Sequence, residues 1–152
     1  MRKQLSKKEV KSLNDEIKQK YGLENFLSKK GIIELDENIL LINNEASFFY
    51  LDHKIIPDLR LILKQNFLKK VTVDMGAVKF VTSGADVMRP GVTLADEGIQ
   101  QNEIVVVVDE LHNKALAIGY SLYSSEELMR LEKGKVIKVV HYVGDEIWKA
   151  SH

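Results

Sequence analysis

The amino-acid sequence predicts an α+β protein in which a small α/β domain precedes a mainly β pseudo-barrel. Two observations carry this prediction. Apolar residues recur at helical spacing in short segments that open with capping motifs, and the second half contains continuous runs of β-branched residues. The chain has 152 residues, which is the length of one domain or of two small ones. We place the boundary between residues 1–69 and residues 70–152.

The first helix begins at a capping box. Ser6 is followed three residues later by Glu9, so the hydroxyl and the carboxylate can each accept a hydrogen bond from a backbone N–H at the helix start. Apolar residues then recur at steps of three and four as far as Gly22, which suits the left-handed position that ends a helix. The predicted helix therefore lies between Ser6 and Gly22, and a short helical turn is expected over Leu23–Ser28.

Three strands and a second helix complete the first domain. Two turn-forming pairs, Asp36-Glu37 and Asn43-Asn44, separate short apolar segments, which is typical of an antiparallel meander. The strands are predicted at Ile32–Leu35, Ile39–Ile42 and Phe48–Leu51, and a helix with Pro57 in its first turn is predicted from Pro57 to Asn66. The predicted order of elements in this domain is α–β–β–β–α.

Strands with inserted helices follow in the second half. Asp74 is placed to cap a helix that runs to about Ser83 and is closed by Gly84. A second capping box, Ser124 with Glu127, precedes another short helix. Continuous β-branched runs indicate strands that are buried on both sides, as in a small barrel. The strands are predicted at Val71–Val73, Ile104–Val108, Ala115–Leu122, Val136–Ile137 and Val139–Val140.

The composition is that of a folded protein without disulfides. Hydrophobic residues make up 45% and charged residues 29%, with only 2 prolines, which excludes a disordered chain. The absence of cysteine excludes disulfides, thiolate nucleophiles and cysteine-ligated zinc. No apolar stretch approaches the ~20 residues of a membrane span. We therefore expect a soluble cytoplasmic protein without a membrane partner.

The chain has no net charge because the opposite net charges of its two halves cancel. Residues 1–69 carry 13 basic and 10 acidic side chains, a net charge of +3, whereas residues 70–152 carry 9 and 12, a net charge of −3. The positive excess lies mostly in the first 20 residues. Lys7, Lys8 and Lys11 form a candidate auxiliary basic patch for RNA phosphates, and the alternative is an ordinary solvated helix face.

A series of short motifs runs through residues 71–148. In chain order they are Val73-Asp74-Met75-Gly76-Ala77, Ser83-Gly84-Ala85, Met88-Arg89-Pro90-Gly91-Val92, Ala117-Ile118-Gly119, and His141-Tyr142 with Asp145 and Trp148. With these motifs the segment resembles a PUA domain, the RNA-binding module named after pseudouridine synthases and archaeosine transglycosylases. The resemblance implies a β pseudo-barrel that binds RNA.

Motifs of the first half extend the resemblance. Leu41-Ile42-Asn43 through Phe48-Phe49, then Ile56-Pro57-Asp58-Leu59-Arg60 and at once the PUA-like segment, are similar to the malignant T-cell amplified sequence family, its yeast translation-machinery-associated relatives and ligatin. This implies a pre-PUA domain over 1–69 and a PUA domain over 70–152. It also implies an accessory protein of translation that contacts the tRNA acceptor end or the RNA of the small ribosomal subunit. Eukaryotic members work with a density-regulated partner, and whether this chain uses an equivalent partner is left open.

The loop after the helix at Asp74 is the candidate RNA-binding site. It reads TSGADVMRPG, and closely spaced glycines let a sugar-phosphate backbone approach the main chain. Lys79 lies three to four residues upstream of Thr82 and Ser83 on the helix, Arg89 is expected in the next strand, and both can pair phosphates. The alternative is that the glycines only end a helix and bend the chain. The candidate residues are Gly76, Lys79, Thr82, Ser83, Gly84, Ala85, Arg89, Pro90 and Gly91.

Enzymatic functions find no motif in the sequence. GxSxG, the P-loop pattern and GxGxxG are all absent, and the local cluster Asp109-Glu110-Leu111-His112 is predicted to be a hairpin turn without further metal ligands. We therefore predict no metal, no cofactor and no enzymatic activity. The alternative to RNA binding is a protein-interaction adaptor on a PUA-like scaffold, which would bind a partner at the edge of the meander. A small enzyme on the same barrel is a third alternative.

Overall fold

The fold consists of two compact units, each built on one β-sheet. A computed structural model of the chain describes residues 1–27 and 31–150. The first unit comprises Met1–Phe67 with Ala150, and the second comprises Leu68–Lys149. Both units contain helices as well as strands, so the predicted α+β class is confirmed.

The first unit is a five-stranded antiparallel sheet with two helices. The strands follow chain order across the sheet, and each neighbouring pair is antiparallel. In chain order the elements are β1 (Arg2–Gln4), α1 (Lys7–Tyr21), β2 (Ile33–Asp36), β3 (Ile39–Ile42), β4 (Glu45–Leu51), β5 (Lys54–Pro57) and α2 (Leu59–Lys64).

Helix α1 starts and ends where the sequence predicts. The Ser6 hydroxyl accepts a hydrogen bond from the Glu9 N–H at 3.2 Å, the Glu9 carboxylate accepts one from the Ser6 N–H at 3.0 Å, and Gly22 ends the helix with φ at +72°. Leu13 and Ile17 face the core of the unit. The helical turn predicted over Leu23–Ser28 is a turn at Glu24 and Asn25, and Ser28 lies outside the described residues.

The order α–β–β–β–α predicted for this unit is wrong, because two strands were missed. Strand β1 consists of exposed polar residues, so it shows no apolar alternation, and it is a strand only because its backbone pairs with β2. Strand β5 includes Pro57, which the sequence assigned to the first turn of the second helix. Pro57 lies on β5, the outermost strand of the sheet, and pairs with Phe48 of β4. An outermost strand tolerates a residue without an N–H. Helix α2 therefore begins only after Asp58, whose carboxylate accepts the N–H of Arg60.

The second unit is a six-stranded sheet that curls around one core. That core contains residues from all six strands, including Val87 and Val92 from the two edge strands, so the sheet resembles a barrel as predicted. The strand order is β7-β11-β10-β9-β6-β8. In chain order the elements are β6 (Lys70–Val73), α3 (Met75–Val81), β7 (Val87–Met88), β8 (Val92–Ala95), β9 (Ile104–Asp109), β10 (Ala115–Ser121), α4 (Ser125–Arg130), β11 (Lys135–Tyr142) and α5 (Glu146–Ala150).

Strands β10 and β11 approach each other unusually closely at Gly119. The pairing register shifts between Ile118 and Gly119. A Cβ atom on Gly119 would lie 2.4 Å from the carbonyl oxygen of Lys138 and 2.8 Å from the Cγ2 atom of Ile137. Since backbone atoms cannot move aside as a flexible side chain can, this position requires glycine.

The closing motif of the second unit is a hydrogen-bonded turn around Asp145. Its carboxylate accepts the N–H groups of Tyr142 and Trp148 at 3.0 and 2.8 Å and lies 2.9 Å from Nδ1 of the buried His141. Burial acts to raise the pKa of Asp145, but the hydrogen bonds from His141, Trp148 and Tyr142 hold that pKa below its ordinary value. The Asp145 carboxylate therefore joins the end of β11 to the helix α5.

None of the described helices is long and apolar enough to cross a membrane.

Candidate nucleic-acid interface

An open groove of about 700 Å³ runs along helix α3 in the second unit. Its lining is mostly apolar and comes from α3, from the chain between Ala85 and Gly91, and from Lys135 at the start of β11. A groove of this volume can hold a small planar group such as a nucleobase.

Helix α3 and the following loop are held together at one end of this groove. The Asp74 carboxylate caps α3 by accepting the N–H of Ala77 at 2.9 Å, and the Asp74 N–H donates to the carbonyl of Gly91 at 2.9 Å. A Cβ atom on Gly91 would lie 3.0 Å from the Cβ of Ala77, so the loop passes directly against the helix. These contacts place the backbone of residues 90–91 in the groove wall.

Four of the nine candidate residues line the groove, namely Gly76, Ala85, Pro90 and Gly91. Two of them are glycines, and the other two, Ala85 and Pro90, have short side chains. The other five, Lys79, Thr82, Ser83, Gly84 and Arg89, do not line it. Their positions decide what each can contribute.

Three of these residues make contacts that end helix α3. The hydroxyls of Thr82 and Ser83 donate to the carbonyls of Val78 and Lys79 at 2.9 and 2.8 Å, so these hydroxyl protons are already used. Gly84 has a φ of +93°, and the ring of Tyr142 lies 2.8 Å from the position of a Cβ atom there. Glycine is therefore required at position 84 by the fold itself.

Arg89 directs its guanidinium group toward the protein backbone. Its Nη1 donates to the carbonyl of Val92 at 3.0 Å and its Nη2 to the carbonyl of Met129 at 3.3 Å. These bonds join the turn after β7 to helix α4 and use donors that a phosphate would otherwise take. The phosphate contact assigned to Arg89 from the sequence stays a prediction.

Lys79 and Phe80 form an exposed cation and ring at the edge of the groove. The ring of Phe80 lines the groove and is 58% exposed, and the ammonium of Lys79 lies 5.1 Å from its centroid. An exposed aromatic face beside a cation suits a nucleotide, because the base can stack on the ring while the phosphate meets the ammonium. Sequence reasoning did not include Phe80 in the site, because its spacing of three residues from Ala77 is typical of the buried stripe of a helix.

Two lysines and one aspartate form a charged cluster at the groove. Asp86 and Lys135 belong to the lining, and Lys138 lies next to them. Asp86 Oδ2 lies 2.9 Å from the ammonium of Lys135 and 3.7 Å from that of Lys138, and Oδ1 accepts the N–H of Val139 at 2.8 Å. Burial acts to raise the pKa of Asp86, but the hydrogen bonds from Lys135 and Val139 and the nearby charges hold that pKa below its ordinary value. No sequence motif joins these residues, which are about 50 positions apart.

The candidate basic patch on α1 is exposed to solvent. Lys7, Lys8 and Lys11 are all exposed, and no acidic side chain of the described residues lies within ion-pair distance of them. Elsewhere on the helix, Lys18 pairs with Glu24 at 3.4 Å. The charges of the patch are thus available to an anionic partner.

The histidine-containing cluster at the β9–β10 turn has a structural role. The carboxylate of Asp109 accepts the backbone N–H groups of Leu111 and Lys114 at 3.0 and 3.2 Å and also that of His112. In the part of the chain that the structure describes, no group of three or more His, Asp or Glu side chains is placed to hold a metal ion.

Two protein-family models match the chain. The PUA domain matches residues 69–143, and a domain of unknown function, DUF1947, matches residues 1–65. Among curated proteins, an uncharacterized protein of Methanocaldococcus jannaschii is 43% identical over 95% of this chain and 93% of its own length. Translation machinery-associated protein 20 of Saccharomyces cerevisiae is 36% identical over 85% of this chain and 78% of its own. Malignant T-cell-amplified sequence 1 of Rattus norvegicus is 36% identical over 72% and 63%, respectively.

Solved structures share the fold. The crystal structure of a hypothetical protein from Pyrococcus horikoshii superposes with a TM-score of 0.85 over 100% of both chains at 33% identity. A chain of an H/ACA ribonucleoprotein bound to a substrate RNA matches 62% of this chain and 28% of its own length, with a TM-score of 0.52 and 28% identity. The similarity therefore extends both to complete relatives and to a part of a larger RNA-bound assembly.

Proposed function

The chain belongs to the family of PUA-domain proteins that includes translation machinery-associated protein 20 and malignant T-cell-amplified sequence 1, and from this premise we propose that it is a non-enzymatic, RNA-binding accessory protein of translation. The observation that carries the proposal is the apolar groove with the exposed Phe80 ring and the Lys79 ammonium at its edge. The name of the yeast relative and the RNA-bound ribonucleoprotein structure support it.

The chemistry of the groove favours an unpaired RNA end. Bases in a duplex have both faces covered by their neighbours, whereas an unpaired base exposes a face that can stack on an aromatic side chain. The Phe80 ring offers one such face, and the groove next to it is lined mostly by apolar residues. Its charged lining residues are Asp74, Asp86 and Lys135. The finer proposal is that the protein works in the cytoplasm and contacts the acceptor end of tRNA or an exposed segment of small-subunit RNA.

Crosslinking in the native host cells tests this function. Cells that express the tagged protein are irradiated, the protein is purified under denaturing conditions, and the bound RNA is sequenced. We expect recovered tRNA acceptor ends or small-subunit RNA, at levels well above those recovered with a Phe80→Ala variant. Recovery of no RNA above that variant would contradict the proposal and favour a protein-interaction adaptor on the same scaffold.

The basic patch on α1 gives a separate prediction. Changing Lys7 and Lys11 to Glu should reduce cosedimentation with small ribosomal subunits, because lysines contribute sequence-independent attraction to RNA phosphates. The unfolding free energy should change by no more than about 0.5 kcal/mol per substitution, since both side chains are exposed and acidic groups are tolerated at a helix start.

A charge-matched variant serves as the control for this experiment. Lys114 and Lys149 are exposed and lie in the second unit, and changing both to Glu alters the net charge by the same amount. We expect this control to cosediment like the wild type. Full cosedimentation of the Lys7 and Lys11 variant would show that the patch is an ordinary solvated helix face.

A further inference from the structure

The carboxylate of Asp86, which lines the groove, lies between the ammonium groups of Lys135 and Lys138. Its side chain is only 14% exposed, whereas those of Lys135 and Lys138 are about half exposed at 49% and 57%. The carboxylate therefore sits beneath two ammonium groups that still face solvent. One carboxylate between two lysines leaves a net charge of +1 at this position.

The geometry of β11 explains why both lysines reach one carboxylate. Residues three apart in a regular strand point to opposite faces, so Lys135 and Lys138 would normally diverge. The pairing of β11 with β7 shifts register between Lys135 and Ile137, and this irregularity coincides with the convergence of the two side chains on Asp86. The cluster is thus built into the strand pairing at the groove wall.

The charges of the groove itself point to Lys135 as its cation. Lys135 is the basic residue among those that line the groove, whereas Arg89 donates to backbone carbonyls and Lys79 lies at the edge over Phe80. A base stacked on Phe80 would leave its phosphates in the groove or at its margin, where the half-exposed Lys135 ammonium can reach them.

We propose that Lys135, assisted by Lys138, is a phosphate-binding residue of the groove and that Asp86 competes with RNA for these two lysines. This competition holds the RNA affinity below the maximum that the groove allows. This inference rests on the proposed RNA-binding function and identifies two lysines that the loop motif does not contain. The carboxylate acts as an internal counter-ion. A phosphate that approaches is attracted by the Lys135 ammonium and repelled by the Asp86 carboxylate, and these two contributions partly cancel.

Asp86→Asn tests the inference. The amide oxygen can still accept the Val139 N–H, so the strand contact is kept while the charge is removed. We expect the variant to bind a fluorescent, mixed-sequence single-stranded RNA of about ten nucleotides roughly three- to tenfold more tightly than the wild type. The plot of log affinity against log salt should steepen by about 0.7 for each lysine that gains a phosphate contact.

Two further variants make the result specific to this cluster. Lys135→Gln should bind the same RNA more weakly than the wild type and with a salt dependence shallower by about 0.7. Glu97→Gln makes the same charge change as Asp86→Asn at an exposed site outside the groove lining, and it should leave affinity unchanged. Thermal melting of each variant reports whether the fold is retained, and Lys135→Gln, with its half-exposed side chain, tests the lysine even if Asp86→Asn is unstable.

The outcomes separate this inference from the proposed function. If the wild type binds the RNA but neither Asp86→Asn nor Lys135→Gln changes affinity or salt dependence, the inference is overturned and RNA binding stands. An equal gain in Glu97→Gln and Asp86→Asn would also overturn it, since net charge alone would then explain the effect. If the wild type binds no RNA, the proposed function fails, and this inference fails with it.

Discussion

Replacing Gly119 by alanine is expected to destabilise the second unit by about 3 kcal/mol or more. The new methyl group would lie 2.4 Å from the Lys138 carbonyl oxygen and 2.8 Å from the Ile137 side chain, well inside van der Waals contact. Relief of this clash requires β10 and β11 to separate, and β11 also pairs with β7, which lines the groove. Denaturant unfolding monitored by tryptophan fluorescence measures the loss.

Gly76 provides the matched control for this substitution. It lies in helix α3, and a Cβ atom there would meet only the Asp74 carboxylate at an ordinary distance of 3.4 Å. Gly76→Ala should therefore leave stability unchanged or raise it by up to about 1 kcal/mol, because alanine favours the helix. Equal stability of the Gly119 and Gly76 variants would show that the two strands do not approach as closely as described.

Replacing Phe80 by alanine is expected to weaken binding of single-stranded RNA about tenfold to a hundredfold, which corresponds to the ~1–3 kcal/mol that stacking on an aromatic ring contributes per base. The unfolding free energy should change little, because the ring is 58% exposed and lies outside the core of the unit. Fluorescence anisotropy of a labelled RNA measures the affinity, and thermal melting checks the fold.

Leu94→Ala is the control for the removal of an exposed apolar side chain. Leu94 is 60% exposed on strand β8 and does not line the groove, so this variant should bind RNA like the wild type. Phe80→Trp should retain most of the affinity, since a larger aromatic ring keeps the stacking face. Wild-type affinity of Phe80→Ala would remove this groove from the RNA-binding surface.

Helices α1, α3 and α4 and the barrel-like core were predictable because their causes are local. The capping box of Ser6 and Glu9 depends on residues within one turn. The short run Ile104–Val108 indicates a buried strand because it consists of β-branched residues. Strand β1 has no such local pattern. It forms because Arg2 and its neighbours pair with residues of β2 about thirty positions away, which no local pattern reveals.

The candidate site was predictable in its loop and not in its charges. The loop was singled out for its glycines, Gly84 and Gly91. Gly91 lines the groove, whereas Gly84 lies at the end of helix α3. The cation of the groove, Lys135, lies on β11. Four elements, β8, β9, β10 and α4, separate this strand from the loop, so spacing rules could not associate Lys135 with the loop. Arg89 was assigned from proximity in sequence, whereas the fold directs its donors to the carbonyls of Val92 and Met129.

Strand β1 bears on how the first unit avoids self-association. It is the outermost strand of its sheet, and an outermost strand leaves unpaired backbone groups on which a second molecule could extend the sheet and begin aggregation. Here that strand is only three residues long, and its Arg2 and Lys3 pair with Asp36 and Glu9. An added strand would have to displace water from these charges, so this edge of the sheet resists intermolecular sheet growth.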